Sequence, residues 1–291
     1  MRMVTIIAAV LILLALLWGY VSSGILIDQK PEKITAYPQN FGVVSEDFSV
    51  QTVDNVTLKG WFVPSVKKSD ATIIVLHGWG GNRGDMVARS IRLAQNYNLI
   101  YFDFRNHGES GKAQTSLTFF ELKDLDAVIK YLKEKRPEES ARLGVLGCSM
   151  GAGIAITGAA LHPEILAVAA ESSFTSVNAT VRRYAERFYH TPGFFVPVTL
   201  WFLHHRLHCD PEIYSPIHFV GKLSPRPIFL IQSDSDRRMP VTEGQTLFAA
   251  AQNPKELWTV PNASHGYIHK IVPQEYDRRI LEFFQTWIPQ N

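Results

Sequence analysis

One serine in the chain stands where a hydroxyl could act as a nucleophile. It is Ser149, in the stretch Leu143 to Gly153, "LGVLGCSMGAG", where an apolar run ends in glycines and passes into the small residues of "GAGIAITGAALHPE". That change of pattern predicts a strand, then a helix, with Ser149 on the turn between them. Gly147 and Gly151, two residues before and after, leave room for strand and helix to approach, and the strained turn pushes the hydroxyl outward. A serine hydroxyl is a weak nucleophile at neutral pH, so the chain must also supply a base within hydrogen-bond reach and an acid to orient that base. On a turn of this kind the order along the chain is serine, acid, histidine, which removes most of the ten histidines from consideration. The later stretches "RPIFLIQSDSDRRMP" and "ELWTVPNASHGYIH" are apolar runs that end in Asp234 and Asp236 and in His265. Loops that follow the strands of a parallel sheet gather functional groups along one edge. Ser149, Asp236 and His265 therefore form the candidate triad, with Asp234 as the rival acid.

These residues resemble the α/β-hydrolase superfamily. Within it the chain is similar to the single-domain serine hydrolases grouped as Bem46-like proteins and serine aminopeptidase-like esterases. In that group the acid is commonly followed by two residues, an aliphatic residue and Pro, as in "DRRMP" from Asp236; Ser233 stands where the group usually has Gly. The resemblance implies an α/β-hydrolase fold: a mostly parallel central sheet with helices on both faces and a small helical lid. It also implies a role for "ATIIVLHGWGGNRGD", a strand that runs into glycine-rich backbone. A tetrahedral oxyanion needs two converging donors, and the expected pair is the amides of Trp79 and Met150. His77 would shape that loop rather than act as a base. In "LIYFDFRNHGESG", Asp103, Arg105, His107 and Ser110 would hold the neighbouring turn, and Cys148 would point into the core beneath the serine. The implied activity is that of a serine hydrolase cleaving carboxylic esters through an acyl-enzyme. A peptidase or thioesterase would use the same triad, and a non-catalytic, membrane-tethered binding protein of the same fold is the alternative of another class.

The elements that must position these groups follow from the pattern. "EDFSVQTVDNVTLKGWFVP" alternates apolar and polar residues on both sides of Asp54-Asn55 and predicts a β-hairpin. Strands are expected near 72–76, 98–103, 143–148 and 165–171, with helices over 86–96, 117–135 and 150–162, an alternation that builds a parallel sheet covered on both faces. Between Glu171 and Pro227 lies a stretch too long for a simple connection and too apolar for a loose loop. The lid is expected at about 174–222, with Phe188, Tyr189, Phe194, Phe195 and Trp201 lining a substrate pocket. A second reading packs those aromatics onto the domain, and a third sets them against a bilayer. His204 and His208, four apart beside Cys209 and Asp210, raise a metal site, but no second ligand cluster accompanies them; neither metal nor cofactor is expected.

The chain's first residues are different in kind. Between Arg2 and Asp28 there is no charge, and Val4 to Ile27 as a helix would extend about 36 Å, enough to cross a hydrocarbon core of about 30 Å. Residues 1–27 are therefore expected to be a membrane anchor, or else a cleaved signal segment that releases a secreted protein. Residues 28–45, polar and interrupted by prolines, are expected as a linker, and 46–291 as the hydrolase domain. A single-pass anchor with the catalytic domain outside the cytoplasm is the preferred topology. A net charge of +2 excludes the basic excess of a nucleic-acid binder. The two cysteines, far apart in the chain, form no disulfide framework. The expected partners are an ester substrate and a membrane.

Overall fold

The computed structural model describes residues 2–289. It opens with one long helix, α1 (Arg2–Ile27). Its 26 residues span roughly 39 Å, and it is long and apolar enough to cross a membrane. Most of its length is uncovered; Leu11, Leu13 and Leu17 are each about 60% exposed. Leaving such side chains in water forfeits roughly 1.5–3 kcal/mol apiece, so this surface requires an apolar surrounding. Only Gly19, Ser23 and Ile27 are buried, one stripe at the spacing of a single helix face.

Eight strands form one sheet in the order β1-β2-β4-β3-β5-β6-β7-β8. β1 (Glu46–Gln51) and β2 (Thr57–Val63) make the antiparallel hairpin, and Asn55 takes the positive φ that its turn requires. β3 (Ala71–Leu76) is buried at every position, which is why its sequence is a continuous apolar run rather than an alternating one. The segment expected as helix 86–96 is instead a composite: a 3-10 turn, the short helix α2 (Val87–Ser90), and a second 3-10 turn over Ile91–Gln95. Its Ser90 hydroxyl turns inward to Met86 O and the Tyr101 hydroxyl, and its Arg89 is drawn inward as well. The chain continues through β4 (Asn98–Phe102), α3 (Phe119–Lys135), β5 (Arg142–Cys148), α4 (Met150–Leu161) and β6 (Ile165–Glu171). All pairings from β4 to β8 are parallel.

After β6, in the stretch expected as a lid, come α5 (Val177–Phe188), α6 (Val196–Leu207) and a series of 3-10 turns ending at Lys222. The sheet is then completed by β7 (Ile228–Ser233), α7 (Val241–Ala250) and β8 (Lys255–Val260). α8 (Ile268–Ile271) and α9 (Pro273–Trp287) close the chain. One face of the sheet packs Ile74, Val145 and Leu230 on α3, α4 and α7; the other packs Val75, Leu146 and Phe229 on α9 through Tyr276, Ile280 and Phe284.

A third, smaller core belongs to the lid, and Ile27 of α1 lies in it with Phe174, Val181, Leu203, Leu207 and Met239. α1 lies along α6, where a Cβ on Gly19 would come within 2.7 Å of Val198. Ser22 shares a 2.8 Å hydrogen bond with Thr199, and Arg206 Nη1 donates to Tyr20 O at 3.0 Å. The stretch expected as a linker is equally held: Ile34 is buried in the sheet's second core, and Tyr37 packs its ring against Trp61.

Candidate active site

β3 and β5 are neighbours in the sheet, yet the chain leaves them in opposite directions, to β4 on one side and β6 on the other. The crevice at their C-terminal ends is a topological switch point, where loops from both sides converge. Ser149 sits there, between the last residue of β5 and the first of α4, with φ 57 and ψ −117. An L residue in that conformation costs about 1–3 kcal/mol, sustained by the fixed elements on either side and by Ser149 N donating to Glu171 O at 2.8 Å. A Cβ at Gly147 would strike the Gly151 carbonyl, and one at Gly151 would strike the carbonyls of Leu76 and His77. Both glycines are therefore steric requirements of the turn.

His265 follows β8, and its Nε2 lies 2.9 Å from Ser149 Oγ. Its Nδ1 lies 2.7 Å from Asp236 Oδ2. A carboxylate there can only accept, so Nδ1 carries the proton and Nε2 is left as the acceptor for the serine hydroxyl. The other Asp236 oxygen accepts from the amides of Arg238 and Met239 at 2.8 and 2.9 Å. Asp236 is buried. Asp234 is exposed and accepts from Asn262 N at 2.9 Å and Ser235 Oγ at 2.8 Å. The amide bond first, and the hydroxyl second, lower its pKa below the ordinary value. It ties the loop after β7 to the loop that carries His265, and makes no contact with the imidazole.

Two buried histidines shape the loop after β3. His77 Nδ1 donates to Gly78 O at 2.8 Å, and its Nε2 accepts from Phe104 N at 3.0 Å. Burial pushes its pKa down to about 4, so the ring is neutral and can serve as donor on one side and acceptor on the other. His107, pushed down to about 4 by burial and by His77 beside it, accepts from Gly80 N at 3.1 Å and donates to Arg105 O at 2.7 Å. Asp103 accepts from Arg83 N and from Glu109 N, and pairs with the Arg83 guanidinium. Arg105 is bound by Asp54 and Asp124. With the loop clamped in this way, the amides of Trp79 and Met150 have no hydrogen-bond acceptor among the described residues.

Beneath the turn lies a buried polar cluster that the residue pattern did not reveal. Arg89 Nη1 contacts Glu171 Oε1 at 2.9 Å and Cys148 Sγ at 3.0 Å, and its Nη2 donates to Gly266 O at 3.0 Å. The Tyr276 hydroxyl donates to Glu171 Oε2 at 2.7 Å. One guanidinium thus joins β6, the strand beside Ser149, to the residue after His265. Burial pushes the Cys148 thiol up to about 12, which keeps it protonated and inert. One signal was present: a glutamate ending the apolar strand "ILAVAAE".

Ser149 and Met150 open into a narrow apolar cavity walled by Leu26, Trp79, Phe174, Val181, Tyr184 and Met239. Leu26 belongs to α1, and its carbonyl accepts from Trp79 Nε1 at 3.2 Å. This corrects the pocket expected from the lid aromatics. Phe188, Phe194 and Trp201 are 41%, 73% and 58% exposed; none of them, nor Phe195, lines this cavity, and Tyr189 lines a neighbouring one. They lie on the outer surface of the lid because its inward positions are taken by smaller side chains such as Val177, Val181 and Leu203. His208 is the left-handed cap after α6, with φ 52, so it does not share a helix face with His204. No group of three or more His, Cys, Asp or Glu side chains is gathered for a metal among the described residues.

The chain belongs to the α/β-hydrolase fold family, whose pattern matches residues 71–200, and its fold is of the esterase type. Among solved structures it is similar to the esterase Pf2001 of Pyrococcus furiosus, at 30% identity and a TM-score of 0.74, covering 89% of this chain and 99% of that one. The protein YqkD of Bacillus subtilis is 27% identical over 82% of this chain and 79% of its own length. The lysophosphatidylserine lipase ABHD12 of Macaca fascicularis is 23% identical, over 79% of this chain and 60% of its own length.

Proposed function

We propose that this chain is a serine carboxylesterase held at a membrane by α1, acting on esters with an apolar acyl group. The observation that carries the reading is the hydrogen-bonded line from Asp236 through His265 to Ser149, at 2.7 and 2.9 Å, in the wall of an apolar cavity. His265 Nε2 takes the Ser149 proton as Oγ attacks the ester carbonyl, and Asp236 stabilises the imidazolium that forms. The amides of Trp79 and Met150 receive the oxyanion. The imidazolium then gives its proton to the departing alcohol, leaving an acyl-serine. Water, deprotonated by His265, releases the acid and restores the hydroxyl.

The cavity's side chains supply little to grip a peptide backbone, which would need paired donors and acceptors; this favours an ester over a peptide. The esterase activity named for the Pyrococcus furiosus relative supports the same choice. Leu26 in the cavity wall and Ile27 in the lid core favour a helix that is retained rather than a signal that is removed. A catalytic domain outside the cytoplasm remains the preferred topology.

The test is hydrolysis of p-nitrophenyl esters by the full chain, with Ser149→Ala beside it. The expected loss in kcat is on the order of 10⁵–10⁶-fold. Turnover that survives in Ser149→Ala, or its absence from the folded wild-type protein, would overturn the reading.

A further inference from the structure

Two apolar cavities adjoin beneath the lid. The first, with Ser149 in its wall, is described above. The second lies between Trp18, Val21 and Ile25 of α1 on one side and Ala185 and Tyr189 on the other. Leu26, Val181 and Tyr184 line both cavities, so the partition between them consists of side chains. Leu26 and Tyr184 are half-buried and Val181 is buried, so opening the partition takes a local repacking of apolar contacts. Both cavities are narrow and lined almost wholly by carbon, and a short ester needs only the first.

The chemistry of the second cavity narrows what could fill it. Of its hydroxyl-bearing side chains, Ser22 and Thr199 are bonded to each other at 2.8 Å, and Ser22 Oγ also donates to Trp18 O at 2.8 Å; Thr191, Tyr184 and Tyr189 complete the set. The surface facing the cavity is nonetheless almost all aliphatic and aromatic carbon, which favours a chain of methylenes over a polar group. Its α1 wall is continuous with a helix surface whose Leu11, Leu13 and Leu14 are all more than half exposed. Phe194 and Trp201, on the outside of the lid next to α1, are exposed as well, and aromatic rings of this sort favour the boundary between hydrocarbon and water.

We propose that the second cavity holds the distal part of a long acyl chain whose ester carbonyl lies at Ser149, so that the membrane helix is itself one wall of the acyl site. The inference rests on the serine-esterase reading and deepens it. An ester dissolved in a bilayer could then bring its acyl chain to Ser149 along α1 without passing through water, with Leu26, Val181 and Tyr184 as the partition that parts for it.

The full chain in phosphatidylcholine vesicles is assayed with p-nitrophenyl butyrate and p-nitrophenyl palmitate, as wild type and as Ala185→Phe, which narrows the second cavity. The palmitate-to-butyrate ratio of kcat/KM should fall at least fivefold in the variant; a smaller fall overturns the acyl site, as does a wild-type protein that hydrolyses butyrate but not palmitate. A second measurement needs no substitution. A fluorophosphonate with a hexadecyl chain ending in a diazirine is allowed to label the wild type and is then illuminated. Cross-links are expected on Trp18, Val21 or Ile25, and cross-links confined to residues outside the second cavity overturn the proposal. No adduct on Ser149, or butyrate turnover that persists in Ser149→Ala, refutes the esterase reading itself and takes the acyl site with it.

Discussion

The two walls around Ser149 are held by different forces. On the sheet side nearly every group is fixed by a directional bond: Asp236 by two amides and an imidazole, Gly80 by His107, Gly266 by Arg89. The lid side, made by α1, α5 and α6, is held mainly by contacts among Ile27, Val181, Leu203 and Leu207. Directional bonds define positions to a fraction of an ångström, as proton transfer requires. Apolar contacts fix volume more than orientation, so the lid can repack around acyl groups of different length at modest cost. On the proposed function, chemistry falls to the rigid wall and selectivity to the adaptable one.

Five changes would break or sharpen that contrast. Asp236→Asn leaves the shape of the rigid wall intact but removes the charge that orients His265, and kcat should fall about 10⁴-fold. Asp234→Asn, two residues away and exposed, should cost less than about twofold, since surface changes away from the chemistry are close to neutral; equal losses at the two positions would reassign the acid. Next in size is Arg89→Met, which leaves Glu171 charged and uncompensated in the core. Urea denaturation should register a loss of about 3–5 kcal/mol, and a loss within experimental error would remove the buried pair from the rigid wall's support.

Gly19→Leu acts on the other wall. Its Cβ would meet Val198 at 2.7 Å, and overpacking of this kind costs about 1–3 kcal/mol. Amide exchange should accelerate in α6 while β5 keeps its protection; acceleration in both would mean that the two walls unfold as one. The smallest effect concerns acid. His77 and His107 titrate at about 4 in the fold and near 6.5 in the unfolded chain. As pH falls through 6.5 the unfolded chain takes up protons first, so the stability these neutral rings contribute is full above that pH and is lost progressively down to about 4. His107→Gln keeps an acceptor for Gly80 N and removes one titrating group. Within that window the slope of unfolding free energy against pH should become shallower by about 1.4 kcal/mol per unit, and an unchanged slope would exclude His107 as a contributor.

How far the site was legible in the residues depends on whether its logic is local. Ser149 could be read because a strand ending, a helix beginning and two glycines all lie within a few positions of it. His265 and the paired aspartates could be read because each terminates an apolar run. The choice between Asp236 and Asp234 was harder, since residues two apart on the same loop differ only in which way the loop folds; in the structure Asp236 turns inward to His265 and Asp234 outward to Asn262. The short helix α2 departed from its expected form, because Arg89 and Ser90 answer to partners on β6 and β4 that a local pattern does not contain.

The sequence by itself determined the α/β alternation, the strained serine turn, the identity of the histidine and the presence of a helix long enough to span a membrane. Each of these is written in neighbouring residues through hydrophobic period, steric freedom at glycine and unbroken apolarity. Only the tertiary structure decided that α1 lies against the lid, that Leu26 reaches the cavity beside Ser149, and that Phe188, Phe194 and Trp201 face outward. Those outcomes depend on which surface each helix buries. An aromatic residue on a helix carries the same propensity whether its partner is a substrate, a neighbouring helix or a bilayer, and only packing against the rest of the molecule separates them.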